Sequence, residues 1–180
     1  MRNPTIAVPT RFFIGLIFSG ADIPDELFTK LKKNYGPVEM KMEPFRFTIT
    51  NYYKQEMGEE LMRSFLAFEQ PITPTILPDI KHETIELEKE FGQIINGSIH
   101  RKVNIDPGYL TPAKVVLATT KNYSHRIYLR RGIFAELTYI ATKSGWQTLP
   151  WTYPDYRLQE VLEFFIHFRS NELERLKSLD

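Results

Sequence analysis

The chain has 180 residues, 42% of them hydrophobic and 25% charged, with a net charge of +1. That length and balance suit one globular domain spanning residues 1–180, and they exclude the strong basic excess with which a dedicated nucleic-acid binder gathers polyanions. No cysteine occurs, which excludes disulfides, thiolate metal sites and a cysteine nucleophile and fits a cytoplasmic protein; no run of about 18 apolar residues occurs either, so no membrane span is expected.

Residues 1–10 lack the apolar core of a signal peptide and read as an extended lead-in. Phe12 to Phe18 is apolar on both faces, as in a central strand. Asp22 stands as a helix N-cap, with Pro24, Asp25 and Glu26 in the first turn. Leu27, Phe28, Leu31 and Tyr35 follow at helical spacing, and Gly36 ends the helix. Phe45, Phe47 and Ile49 then alternate with Arg46, Thr48 and Thr50, which predicts a half-buried strand. A polar loop with Tyr52 and Tyr53 comes next. Residues 61–68 suit a helix or a strand, and Pro71, Pro74 and Pro78 read as a turn. Leu77, Ile80, Thr84, Leu87, Phe91 and Ile94 recur at three and four residues, an amphipathic helix with Asp79, Lys81, Glu83, Glu86, Lys89 and Glu90 on its exposed face. Asn96-Gly97 either caps that helix or turns a hairpin.

Ile99 to Ile105 is expected to be a strand ending in a turn at Asp106-Pro107-Gly108. Short strand patterns at 115–118, 126–130, 133–140 and 146–151, separated by turn residues, predict an antiparallel meander. Leu158 to Leu179 closes the chain as a helix, with Val161, Leu162, Phe165, Phe168 and Leu173 inward. The expected class is α+β: a mixed, mainly antiparallel sheet with a β-α-β start, a C-terminal meander and a closing helix. The first part suits a ferredoxin-like β-α-β-β-α-β core, extended by the later hairpins.

Nucleotide P-loops, dinucleotide-binding glycine motifs, serine-hydrolase elbows and H-E-x-x-H are all missing. The four histidines, 82, 100, 125 and 167, have no pair at ligand spacing, so no metal site is expected, and the sequence names no cofactor. Chemistry-bearing residues instead gather between Arg101 and Tyr156. Asp106 is a candidate general base or a turn residue bonding its own backbone. His125 is a candidate acid–base group and Arg126 an anion holder, or both lie on a surface turn. Arg126, Tyr128 and Arg130 share a strand face, which suits phosphate recognition with a stacking ring, or an exposed face with cross-strand ion pairs. Glu136 sits in an apolar strand and needs a partner there, whether for catalysis or as a structural ion pair. Trp151, Tyr153 and Tyr156 wall a pocket for a flat or sugar-like ligand with Asp155 reading hydroxyls or amines, or Asp155 caps the last helix. Tyr52, Tyr53 and Glu56 are candidates for the opposite wall. Arg101, Asn104, Tyr109 and Lys121 complete the ligand-binding set, with Asp106, His125 and Glu136 as the catalytic one.

These stretches resemble a known family. N-I-D-P-G-Y-L (104–110), H-R-I-Y-L (125–129), G-I-F-A-E-L-T (132–138) and W-T-Y-P-D-Y (151–156), with T-N-Y-Y (50–53), E-M-G (56–58) and R-S-F-L-A-F-E (63–69), are similar to motifs of domain of unknown function 4416 (DUF4416). The resemblance covers nearly the whole chain, with extra length around 93–99. It implies a stand-alone single-domain prokaryotic protein and assigns no chemistry.

The first functional expectation is therefore a cytoplasmic protein that binds, or acts on, a small anionic ligand, a nucleotide or phosphorylated metabolite, where the turns near 106, 125 and 155 meet. The alternative is an RNA- or protein-binding module using an exposed basic and aromatic sheet face, and a third reading is a structural partner in a larger assembly.

Overall fold

The computed structural model describes residues 9–50, 53–95 and 97–178; most of the lead-in, Tyr52, Asn96 and Leu179 lie outside them. Its sheet is antiparallel throughout. β1 (Thr10–Ser19), α1 (Asp25–Tyr35), β2 (Val38–Lys41), the two-residue β3 (Phe45–Arg46), the single-turn α2 (Lys54–Met57), β4 (Leu61–Ile72) and α3 (Leu77–Glu90) make up the first half. A separate hairpin, β5 (Gln93–Ile95) and β6 (Ser98–His100), leads to β7 (Val103–Thr111), β8 (Lys114–Thr119), β9 (Arg126–Arg130), β10 (Ile133–Thr142), β11 (Gly145–Thr148) and α4 (Gln159–Lys177).

Strand order across the sheet is β11-β10-β8-β7-β1-β4-β2. The segment β7-β1-β4-β2, with α1 and α3 as its crossovers, is the ferredoxin-like order. The meander extends it beyond β7. β1 lies at the centre and is buried on both faces because each face has its own helix layer. Phe12, Ile14, Leu16 and Phe18 pack with Leu27 and Leu31 of α1 and Ile80 and Leu87 of α3. Phe13 points the other way, into Phe65, Tyr139, Val161, Phe165 and Phe168, which seat α4. Truncating one of these rings to alanine would cost about 3–5 kcal/mol.

Several local expectations are corrected. Asp22 is not a helix cap: its carboxylate accepts from the Ile23 amide at 2.7 Å and from Lys41 at 2.9 Å, and α1 starts after Pro24. Residues 47–50 form no strand, since β3 ends at Arg46. Residues 61–68 are strand, and Pro71 continues it opposite Arg11. Gly97, at φ 78°, precedes β6 in the β5–β6 hairpin, so Ile94 lies on an exposed ribbon rather than inside α3.

The Asp106-Pro107-Gly108 expectation fails most instructively. No turn forms; β7 runs straight through, with Asp106, Pro107 and Gly108 opposite Gly15, Ile14 and Phe13. Gly108 is needed because a Cβ there would meet Phe13 Cζ at 2.4 Å and Val116 O at 2.6 Å. Pro107 marks a fork. The β7–β8 ladder runs from Thr111↔Lys114 to Gly108↔Leu117 and ends. By strand alternation, the Pro107 nitrogen faces the side where β8 departs, so its missing N–H costs no rung. Beyond the fork, α3 supplies the partners. The Ile105 amide donates to Glu88 Oε1 at 2.7 Å, and its carbonyl accepts from Lys81 Nζ at 2.8 Å. Lys81 and Glu88 are thus buried, not on an exposed face.

Candidate functional site: a cavity in the fork of the sheet

Where β7 and β8 diverge, a cavity of about 770 Å³ opens, within the usual size range of metabolite sites, roughly 300–1,000 Å³. Its walls come from Phe47, Ile49, Thr50 and Tyr53, from α2, β4, the Lys81–Lys89 face of α3, β7 before the fork, β8 with Lys121 after it, Glu136 of β10, and Tyr153–Tyr156 ahead of α4.

Asp106 stands at its centre. Lys81 Nζ donates to Oδ1 at 3.1 Å and Asn104 Nδ2 to Oδ2 at 2.7 Å. Burial works against the Asp106 charge, but Lys81, Arg63 and these two hydrogen bonds outweigh it and hold the carboxyl below its ordinary range. Glu88 has the opposite balance: burial lifts its pKa, and nearby Asp106 adds to the lift despite Lys81 and Arg101. Arg101 closes one side with a two-pronged grip on Glu56, Nε to Oε1 at 2.6 Å and Nη2 to Oε2 at 2.7 Å. Its Nη1 donates to Glu88 at 2.8 Å and to Asn104 Oδ1 at 3.2 Å.

Arg63 is the buried cation of the site, 2% exposed. It fits because residue 15 is glycine: a Cβ there would lie 3.0 Å from Arg63 Nη2. The guanidinium sits 4.4 Å from the Phe65 ring centre and 5.3 Å from that of Tyr156. Its Nε lies 3.0 Å from Asp155 Oδ2. Burial opposes its charge, but Asp155 and the surrounding oxygens raise its pKa overall. Asp155 therefore neutralises an arginine; it does not cap α4, which begins after Leu158 with no side-chain cap.

Glu136, 1% exposed, receives Arg126 Nε at 2.7 Å and His125 Nε2 at 3.1 Å, both on Oε2. Arg126 also donates to Tyr153 Oη at 2.8 Å and to the Lys121 carbonyl at 3.0 Å. The His125 ring stacks on Trp151 at 4.8 Å, and Trp151 donates to the Leu137 carbonyl at 2.8 Å.

Of the residues expected from sequence, Arg101, Asn104, Asp106, Lys121, Glu136, Tyr153 and Asp155 line this one cavity, as do Tyr53 and Glu56 of the expected opposite wall. His125 and Arg126 stand behind Glu136 and do not line it. His125 and Asp106, both expected as acid–base groups of one site, are not partners: His125 bonds Glu136, while Asp106 bonds Lys81 and Asn104. Tyr109 packs in the cluster of Leu77, Val116 and Ile133. Tyr128 is exposed on β9 against Phe134, and Trp151 supports His125. Tyr156, one of the three rings expected to wall a pocket, lines it, whereas sequence reasoning missed Arg63, Lys81 and Glu88. Two signals pointed to them: one charge inside the apolar run 61–68, and the polar trio Lys81, Thr84 and Glu88 at helical spacing.

Four buried side-chain atoms of wall residues have no hydrogen-bond partner among the described residues: Arg63 Nε, which faces Asp155 only at ion-pair distance, Arg63 Nη1, Tyr156 Oη and Glu136 Oε1, all of them closed to solvent. Each is an open valence, since buried polar groups are nearly always satisfied. No cluster of His, Asp and Glu among the described residues is arranged to hold a metal ion.

The sequence model of one protein family, described as Domain of unknown function (DUF4416), matches residues 8–171. The chain belongs to this family. No curated protein and no solved structure matches it. Among the described residues of this DUF4416 chain, no helix is long and apolar enough to cross a membrane.

Proposed function

We propose that this DUF4416 protein is a cytoplasmic small-molecule-binding protein whose ligand occupies the fork cavity. The observation that carries the reading is one metabolite-sized space whose walls bring together Arg63, Lys81, Arg101, Asp106 and Glu136 with the rings of Phe47, Tyr53 and Tyr153. A nucleotide or other phosphorylated metabolite is the class expected from the sequence. Binding has more support than acid–base catalysis, because Asp106 is held below its usual range and makes a weak base.

The RNA-binding alternative has less support. Arg126 is engaged with Glu136 and Tyr153, and Arg130 with Asp79, so neither guanidinium is free for phosphate. The test is a thermal-shift screen of nucleosides, nucleotides, phosphosugars and divalent cations, repeated on Thr120→Trp. Thr120 is an exposed wall residue, and a tryptophan there adds bulk to the wall while leaving every ion-paired side chain in the sequence. We expect a ligand-dependent rise in melting temperature that Thr120→Trp abolishes. A rise that survives the substitution, or no rise with any compound, refutes the site.

A further inference from the structure

Outside the fork cavity, one strand is out of keeping with the rest of the sheet. β9 runs R-I-Y-L-R from Arg126 to Arg130, and Ile127 is 71% exposed, Tyr128 58% and Leu129 38%. Consecutive strand residues point to opposite faces, so both faces of β9 are uncovered. Among the described residues it pairs only with β10, which leaves its other edge with unused backbone donors and acceptors. None of its residues lines the fork cavity. An uncovered apolar edge strand is a template for pairing with another chain, the docking mode known as strand addition.

Charge and size decide what that chain is. In an antiparallel pair of two copies centred on Tyr128, Arg126 of each would stand opposite Arg130 of the other, and like charges directly opposite are destabilising. A strand of five residues is also only about 17 Å long, and by itself falls short of the roughly 1,000 Å² of buried surface that a specific dimer needs. The turn that follows favours an acidic partner. Arg130 Nη2 and Arg131 Nη1 both donate to Asp79, the latter at 3.3 Å, so two guanidiniums share one carboxylate and leave a surplus of one positive charge. Arg131 stands at φ 52° and Gly132 at φ 77°, the geometry of a two-residue hairpin turn whose usual first residue is asparagine, aspartate or glycine. The turn itself gains nothing from an arginine there, and the Arg131 side chain is 63% exposed.

We propose that the open edge of β9 receives an extended segment of another protein, apolar along Ile127–Leu129 and acidic where it meets the Arg130–Arg131 turn. This docking edge is separate from the small-molecule site and is tested apart from it.

The experiment is fluorescence anisotropy of labelled heptapeptides titrated with the full chain. The first peptide alternates valine and threonine between two terminal glutamates, the second has lysines in place of the glutamates, and the third is the first with proline at its centre. The glutamate peptide is expected to bind, roughly tenfold tighter than the lysine peptide at low salt. The proline peptide is expected not to bind, because proline cannot donate to a ladder. The double variant Ile127→Thr, Leu129→Thr keeps strand-forming residues and removes exposed apolar surface; it should weaken the glutamate peptide by about fivefold or more. Arg131→Asn should cut the preference for glutamate over lysine to about threefold or less, with a melting temperature unchanged or raised, since asparagine suits the turn. No binding of the glutamate peptide, equal binding of the proline peptide, full affinity in the double variant or an undiminished glutamate preference in Arg131→Asn overturns the proposal. So does a dimer in sedimentation that the double variant dissolves, which makes the occupant a second copy, or a uridine oligoribonucleotide that binds more tightly than the glutamate peptide, which makes the strand an RNA site.

Discussion

Tyr156→Phe tests whether a buried hydroxyl without a partner weighs on the fold. The substitution deletes one oxygen from a residue that is 1% exposed. The ring contacts remain: 5.2 Å to Phe65, 5.9 Å to Phe165 and 6.0 Å to Tyr139 between ring centres. The Tyr156 carbonyl still accepts from the Tyr139 hydroxyl. What disappears is a buried hydroxyl with no partner among the described residues, whose desolvation costs about 1–3 kcal/mol. Taking the low end, the ligand-free variant should be about 1 kcal/mol more stable than wild type. For a chain of this size that is roughly 2–4 °C in melting temperature. Urea unfolding followed by fluorescence gives the midpoint and slope together, and an unchanged slope is required for the comparison to hold. Loss of 1 kcal/mol or more would mean that the hydroxyl is already satisfied in the ligand-free protein, and the case for an open inner valence would fall with it.

Two further predictions concern the side chains at the fork. Lys81→Met leaves Asp106 and Glu88 without their shared cation and strips the Ile105 carbonyl of its donor. Breaking such a buried pair costs about 3–5 kcal/mol, discounted to about 2–3 because Asp106 keeps some solvent contact; urea unfolding at pH 7 should show that loss, and a smaller one at pH 5. Glu88 has a raised pKa, so the folded state holds its proton more readily than the unfolded one, and stability declines as pH rises above the ordinary value of 4.5. Asp106 acts in the opposite sense: its contribution is complete above the ordinary value of 3.8 and is lost as pH falls below it. Glu88→Gln should therefore flatten the stability curve above 4.5 and leave the acid limb in place; a curve unchanged across the whole range would remove Glu88 from this role.

The sheet and its helices were legible where a pattern is periodic and local. The two-sided apolar run of β1, the helical spacing in α1 and the turn-punctuated strands after 114 all needed only their own residues to be read. Asp106-Pro107-Gly108 was misread because turn chemistry is local, whereas its role as a fork is dictated by β1 on one side and the departure of β8 on the other. Lys81 and Glu88 were assigned to solvent by the default for charged helix residues. Their burial depends on the unpaired rung at Ile105, which sequence does not display. For the site, the wall segments from 101 to 106 and from 153 to 155 stood out by composition. Arg63 did not: in a strand, a charged residue between apolar neighbours reads the same whether it faces water or a buried aspartate 92 positions away.

Strands that separate within a sheet leave exposed backbone that either zips closed or recruits a foreign chain. Here a lysine and a glutamate seven positions apart on one helix occupy both the acceptor and the donor of Ile105, acting as a wedge that holds the strands apart. The hollow is thus a property of the framework and exists before any guest arrives. A guest entering it meets a shape already set, and little of its interaction energy is diverted to ordering the host.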